Sequence, residues 1–253
     1  MFEPRQTEGP SGLADPPRPF VLRAAHLDGQ TLAPGASFAI DVHVFAPEEP
    51  FLQYFTLSFL QFCRTGLGPG RGRVTLGAVD VLDAHRQPAA RAFDGSGFVL
   101  PALPPAQGIA MTADEGPPID RLCLEFTTPT ELKSGGQIQS SLPFGVLVAR
   151  LRDRISTLRA LYDEGPLDVD FRELSEKAHA ISMIRSNLRS QDVIRRSSRT
   201  GQTHSVGGFV GEVEYAGDLR PFLPYLQAGS WTGVGRHTVW GNGVYRLLPG
   251  PGV

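Results

Sequence analysis

The chain has 253 residues, 41% of them apolar and 20% charged, with 24 basic and 26 acidic side chains and a formal net charge of −2. Those proportions exclude a disordered chain and fit one large domain or two small ones with proper cores. A free nucleic-acid binder is usually basic, so this charge argues against one unless local charge carries the contact.

Lys133 and Lys177 are the only lysines, so nearly every cation is an arginine. Arginine forks onto phosphates and stacks on bases better than lysine does, although a GC-rich coding bias leaves the same mark. Cys63 and Cys123 lie inside apolar runs and read as small buried hydrophobes in a reducing compartment. No disulfide is expected, and no Cys/His spacing suggests zinc. The opening Met1-Phe2-Glu3-Pro4-Arg5 lacks the features of a signal peptide, and no apolar run approaches the roughly 20 residues of a membrane span. The expectation is a cytoplasmic protein with no membrane partner, no metal and no cofactor.

Residues 1–18 read as a loose arm. Pro19 to Ala25 predicts a strand, and Ser37 to Phe45 alternates as a half-buried one, with Phe38, Ile40, Val42 and Val44 on one face. Pro50 opens a helix to about Arg64, followed by a glycine-rich stretch, Gly66 to Arg73, and a strand from Val74 to Leu82. Residues 83–118, rich in Pro and Ala, look like a linker. The second half predicts a strand over Arg121–Phe126, a helix over Phe144–Tyr162 and another over Phe171–Leu188. A strand over Phe209–Tyr215 precedes a short helix with Asp218 as N-cap and Gly229 as its end. A second glycine-rich stretch, Gly233 to Gly243, leads into a last strand, Val244 to Leu248.

Both halves share the order strand, helix, glycine loop, strand, and even a local wording, Thr65-Gly66-Leu67-Gly68 against Thr232-Gly233-Val234-Gly235. The fold class predicted is α+β: tandem ferredoxin-like (RRM-like) βαββαβ modules, the first lacking its opening β-α pair. The expected boundaries are 1–18 for the arm, 19–110 for the partial first module with its linker, and 111–253 for the second. Glycine loops let backbone N–H groups approach phosphates closely, but the same residues also make ordinary tight turns. The interleaved Arg71, Arg73, Arg236 and His237 favour phosphate binding.

Gly233 to Gly243 has the form GxGxxxxxGxG and closes a helix–loop–strand unit near the C-terminus. It resembles the signature loop of the RAMP superfamily of CRISPR-associated proteins, in particular the endoribonucleases that process CRISPR RNA. Leu124 to Lys133 resembles the strand and turn that open that family's C-terminal module. Arg195-Arg196-Ser197-Ser198-Arg199, followed by Gly207 to Tyr215, resembles the stretch before its last helix, and Gly66-Leu67-Gly68 with Arg71 resembles the turn ending its first module. The resemblance implies binding of CRISPR repeat RNA, other CRISPR-associated proteins as possible partners, and metal-independent cleavage by 2′-hydroxyl attack on the adjacent phosphate. Its alternative is a non-catalytic RAMP subunit that holds guide RNA.

The RNA-binding residues expected on these grounds are Arg71, Arg73, Arg195, Arg196, Arg199, Gly233, Gly235, Arg236, His237, Gly241 and Gly243, with His237 the one candidate general base. His26, His43, His85 and His179 read as surface or structural; His204 lies in a polar loop before Gly207-Gly208, for which an ordinary surface loop is the plainer account and an RNA-facing loop the alternative. Arg185, Arg189, Arg195, Arg196 and Arg199 suggest a cationic track, of which a solvated basic face is the plainer account. Trp231 and Trp240 flank the second loop, for core packing or base stacking. Asp163, Glu164, Asp168 and Asp170 are too irregularly spaced for a calcium site.

Overall fold

The computed structural model describes residues 16–45, 47, 50–68, 70–100, 105–112, 116–134, 137, 138, 141–163, 165–196 and 201–248. In chain order the elements are β1 (Phe20–Arg23), β2 (Asp41–Val44), α1 (Phe51–Thr65), β3 (Val79–Leu82), β4 (Pro88–Phe93), β5 (Arg121–Thr130), β6 (Lys133–Ser134) and β7 (Gln137–Ile138). There follow α2 (Phe144–Tyr162), α3 (Phe171–His179), β8 (Ser182–Gln191), β9 (Ile194–Arg196), β10 (Thr203–Ser205), β11 (Gly208–Ala216), α4 (Leu223–Thr232) and β12 (Tyr245–Leu248). They form two compact units, one of Ala46–Gly108 and one of Phe2–Phe45 with Ile109–Val253.

In the first unit, α1 ends where Gly66 takes a left-handed φ of 87° and its N–H donates to Phe62 O at 2.9 Å. β3 and β4 then pair antiparallel. β4 falls inside the stretch read as a linker; Pro88 stands at its first position, where a proline can begin an edge strand.

The second unit carries a four-stranded antiparallel sheet in the order β12-β5-β11-β8. With α2 and α3 between β5 and β8, and α4 between β11 and β12, this is the βαββαβ order of a ferredoxin-like module. Alternation puts Leu122, Leu124, Phe126, Val213, Tyr215 and Tyr245 into one core with Leu147, Leu151, Phe222 and Leu226 from the helices. Phe126 lies 5.1 Å from Phe209 and 5.4 Å from Tyr245, ring centre to ring centre. The two buried phenols satisfy their hydroxyls on helix-side carbonyls: Tyr215 donates to Leu142 O and Tyr245 to Leu226 O, both at 2.7 Å.

Residues 19–45, read from sequence as part of the first module, group with this unit because they pack on it. β1 and β2 form a hairpin with Phe20 opposite Val44, and Phe45 rests against Leu158, Leu161 and Tyr162 of α2.

Three further expectations are corrected. The predicted helix over 171–188 stops at His179. Asp170 caps its start, accepting from Arg172 N at 2.9 Å and Glu173 N at 3.0 Å. The helical spacing of Ile181, Ile184 and Leu188 was coincidental: residues from Ser182 onward supply the strand that β11 needs on its free side, with Leu188 opposite Gly211. Gly229 does not end α4 but lies within it, buried, where a Cβ would strike Tyr245 Oη and Leu151; the helix ends at Gly233. Asp218 is not its cap either, since a 3-10 turn over Arg220–Phe222 begins at Leu219.

Candidate nucleic-acid interface

The second glycine loop is fastened by its backbone to the end of β5, an interior strand of the sheet. Val234 N donates to Gly243 O at 2.9 Å, Arg236 N to Glu131 O at 3.2 Å and Gly243 N to Pro129 O at 3.0 Å. Gly233 N reaches Gly229 O at 2.8 Å, Gly241 N reaches Thr238 O at 2.9 Å, and Asn242 Nδ2 donates to Val206 O at 2.8 Å. At Gly243 (φ 73°) a Cβ would overlap Val234 O, and at Gly235 (φ 87°) it would overlap Glu131 O. These two glycines therefore serve close backbone approach within the protein, and the amides just named are committed to protein carbonyls. What the loop offers outward is its side chains.

Arg236 is the first of them. Its side chain is about half exposed, at 53%, and donates from Nη1 to Glu131 Oε1 at 2.9 Å, while the Glu131 side chain is 10% exposed. A nearly buried carboxylate thus aims an accessible cation, which keeps donors free for an incoming phosphate. Glu131 was not identified as part of the site from sequence; its place directly after β5 is the only signal, and its partner lies 105 residues away.

His237 is held in the left-handed region, φ 61° and ψ 22°, unusual outside glycine. Its carbonyl accepts from Trp240 N at 3.0 Å and Asn242 N at 3.4 Å, closing a 3-10 turn over Thr238–Trp240. The turn lays the His237 and Trp240 rings parallel, 3° apart in tilt with centres 5.1 Å apart, and Trp240 remains 51% exposed. Trp231 instead packs inward against His43, at 4.9 Å.

Behind the loop, two arginines and a histidine meet the C-terminal carbonyls of α4, where the helix dipole favours positive charge. Arg23 donates to Ser230 O at 2.9 Å and Trp231 O at 3.0 Å, Arg154 Nε to Thr232 O at 2.9 Å, and His43 Nδ1 lies 3.3 Å from Trp231 O. Burial, and then the charge of Arg23, pulls the Arg154 guanidinium down to about 10. This group fixes β1 and α2 to the base of the loop.

The other expected residues are placed as follows. In the first unit, Leu67 and Gly72 pair back to back across a tight turn, with Leu67 N to Gly72 O at 3.0 Å, and Arg71 and Arg73 are exposed around it. Arg195 and Arg196 lie on β9, which pairs with β10 through His204. Arg199 lies outside the described residues. Arg185 and Arg189 stand on β8 rather than on a helix. Arg185 is committed to glutamates of β11, 3.6 Å from Glu212 and 3.3 Å from Glu214, whereas Arg189 is exposed. His26 bonds to Ala39 O at 3.0 Å and His179 to Ser175 O at 2.6 Å; His85 is exposed in the β3–β4 turn. Cys63 and Cys123 are free thiols, the second buried, with its thiol pushed up chiefly by burial. Among the described residues no group of three His, Cys, Asp or Glu could hold a metal ion, and no helix is long and apolar enough to cross a membrane.

Residues 124–245 match the family model of the CRISPR-associated endoribonuclease Cas6, and residues 1–97 match a second model described as an N-terminal domain. No curated protein matched the chain. Among solved structures, a product complex of Thermus thermophilus Cas6 is similar over 93% of this chain and 84% of its own, at 18% identity and a TM-score of 0.51, which shows the fold. A separate structure of the same Thermus thermophilus protein aligns over 53% of this chain and 55% of its own, at 20% identity and TM-score 0.42. Another Cas6 product complex aligns over 53% and 54%, at 23% identity and TM-score 0.39. In these last two alignments the chain spans about half the length of the structure it matches. Residues 124–245, just under half of this chain, are thus similar to the family of the CRISPR-associated endoribonuclease Cas6.

Proposed function

We propose that this chain binds CRISPR repeat RNA and cuts it within the repeat without a metal ion. The ribose 2′-hydroxyl attacks the adjacent phosphorus, the bond to the 5′-oxygen breaks, and a 2′,3′-cyclic phosphate remains on one product. The observation that carries the reading is the match of residues 124–245 to an endoribonuclease family, with the glycine loop inside it presenting Arg236 outward. Arg236 is the group to hold the phosphate and meet the charge that grows on it. His237, next in the chain, is the candidate base for the hydroxyl proton. Arg71, Arg73, Arg189, Arg195, Arg196 and Arg199 supply further phosphate contacts. Other CRISPR-associated proteins are the expected partners, and the cytoplasm the expected compartment.

A second reading, a RAMP subunit that holds guide RNA without cutting, draws on one observation: the imidazoles of His26, His43 and His179 are already bonded to main-chain carbonyls. Incubating the purified chain with end-labelled repeat RNA in EDTA separates the two. A discrete product with a cyclic phosphate end supports the nuclease. Binding without cleavage leaves the non-catalytic reading, and absence of binding at low salt discards both.

A further inference from the structure

We infer that Trp240, backed by His237, is a stacking platform for one unpaired nucleobase, and that Asp28 beside it selects for a base with an exocyclic amine. The inference rests on the RNA-binding reading above. An indole half exposed to water is costly surface, and this one is fixed rather than loose. It ends a 3-10 turn closed by Trp240 N to His237 O at 3.0 Å, and Gly241 follows it with φ 88°, where a Cβ would press on Leu22 O. The parallel imidazole, 5.1 Å away, presets the ring's orientation. A pre-oriented aromatic face gains stacking with any base and loses little freedom on binding. Arg236 leaves the same loop four residues earlier, so the platform pairs a π face with a phosphate-binding cation.

The indole also borders a shallow cleft lined by Asp28, Thr128, Pro129, Gly241 and Asn242. Its exposed charged group is an acceptor, the Asp28 carboxylate. Thr128 is buried, its hydroxyl oxygen accepting from Val244 N at 2.9 Å, and Asn242 is tied through one amide N–H to Val206 O at 2.8 Å, which leaves Asp28 as the group that meets a base edge. Acceptors in this position suit the amino group of cytosine and not the carbonyl that uracil carries at the same place. A carboxylate also keeps phosphate out of the cleft, so the base and not the backbone enters it.

The test titrates the full chain with short single-stranded RNA oligomers, all cytosine or all uracil, at low salt, reading indole emission and affinity. The expected result is quenched emission, tighter binding of the cytosine oligomer, a roughly tenfold or greater loss of affinity in Trp240→Ala, and retention of most of it in Trp240→Phe. Asp28→Ala is expected to bind both oligomers and to lose the preference. Wild-type binding with unchanged emission, or Trp240→Ala binding as tightly as wild type, overturns the platform and leaves the RNA reading standing. No binding of either oligomer or of repeat RNA by the wild type overturns both.

Discussion

Replacing Gly243 by alanine separates the shape of the second loop from its chemistry. At φ 73° a side chain costs about 1–2 kcal/mol in backbone strain alone. The added Cβ would also overlap Val234 O, whose residue's N–H is bonded to Gly243 O at 2.9 Å, so the two arms of the loop must part, for about 1–3 kcal/mol more. The total, about 2–5 kcal/mol, is a large share of the roughly 5–15 kcal/mol that holds a domain folded. Gly29 is the control: it has nearly the same φ, 72°, in the same unit, but nothing within 4 Å of the added carbon. Only the strain term applies there. Urea unfolding followed by tryptophan emission suits the comparison, because Trp231 and Trp240 both lie in this unit. Gly243→Ala should unfold at clearly lower urea than Gly29→Ala. Equal midpoints would refute the argument that loop glycines are required by backbone packing.

Three further outcomes follow from particular contacts. Arg236→Ala should weaken repeat-RNA binding and make its salt dependence shallower by about 0.7 in log–log slope, and should cost about 1–3 kcal/mol of stability because it leaves the nearly buried Glu131 carboxylate without its partner; unchanged affinity would remove Arg236 from the interface. Burial holds the phenols of Tyr215 and Tyr245 above their ordinary value near 10, so the stability they confer is complete below pH 10 and is lost as pH rises beyond it. Tyr215→Phe should therefore flatten the alkaline fall of unfolding free energy by up to about 1.4 kcal/mol per pH unit, and an unaltered slope would contradict that assignment. Gly229→Ala should destabilise the unit despite alanine's advantage of about 1 kcal/mol in helices, since Tyr245 and Leu151 fill the space; a raised urea midpoint would show that the helix is packed otherwise.

What could be read from sequence was what short-range pattern specifies. The stripe Leu147, Leu151, Ile155, Leu158 and Tyr162 placed α2 at Phe144–Tyr162, and alternation through Val213 and Tyr215 located β11. The order β5, α2, α3, β11, α4 and β12 was legible for the same reason, since those strands and helices carry distinct periods. The switch from α3 to β8 was not, because Ile181, Ile184 and Leu188 satisfy a helical spacing and only pairing with β11 decides against it. β4 was hidden by its composition, Pro88-Ala89-Ala90-Arg91-Ala92-Phe93, which is poor in strand formers and is held by pairing to β3 and by Arg91 on Asp80 at 2.8 Å.

At the site, the glycine pattern marked the loop correctly but suggested free amides, and the structure turns several of them to protein carbonyls. Arg236 and His237 could be picked out as polar residues in that loop. Their settings could not: Glu131 meets Arg236 across 105 residues, and Arg23 reaches the end of α4 across 207. No local pattern encodes such contacts.

The central claim is that the second unit holds RNA through charges set around its glycine loop. Equilibrium binding of the full chain to repeat RNA over a series of salt concentrations tests it most directly. The account predicts affinity that falls linearly in log–log form as salt rises, with a shallower slope for Arg236→Ala. Absence of binding at low salt, or binding that is indifferent to salt and to Arg236, would contradict it.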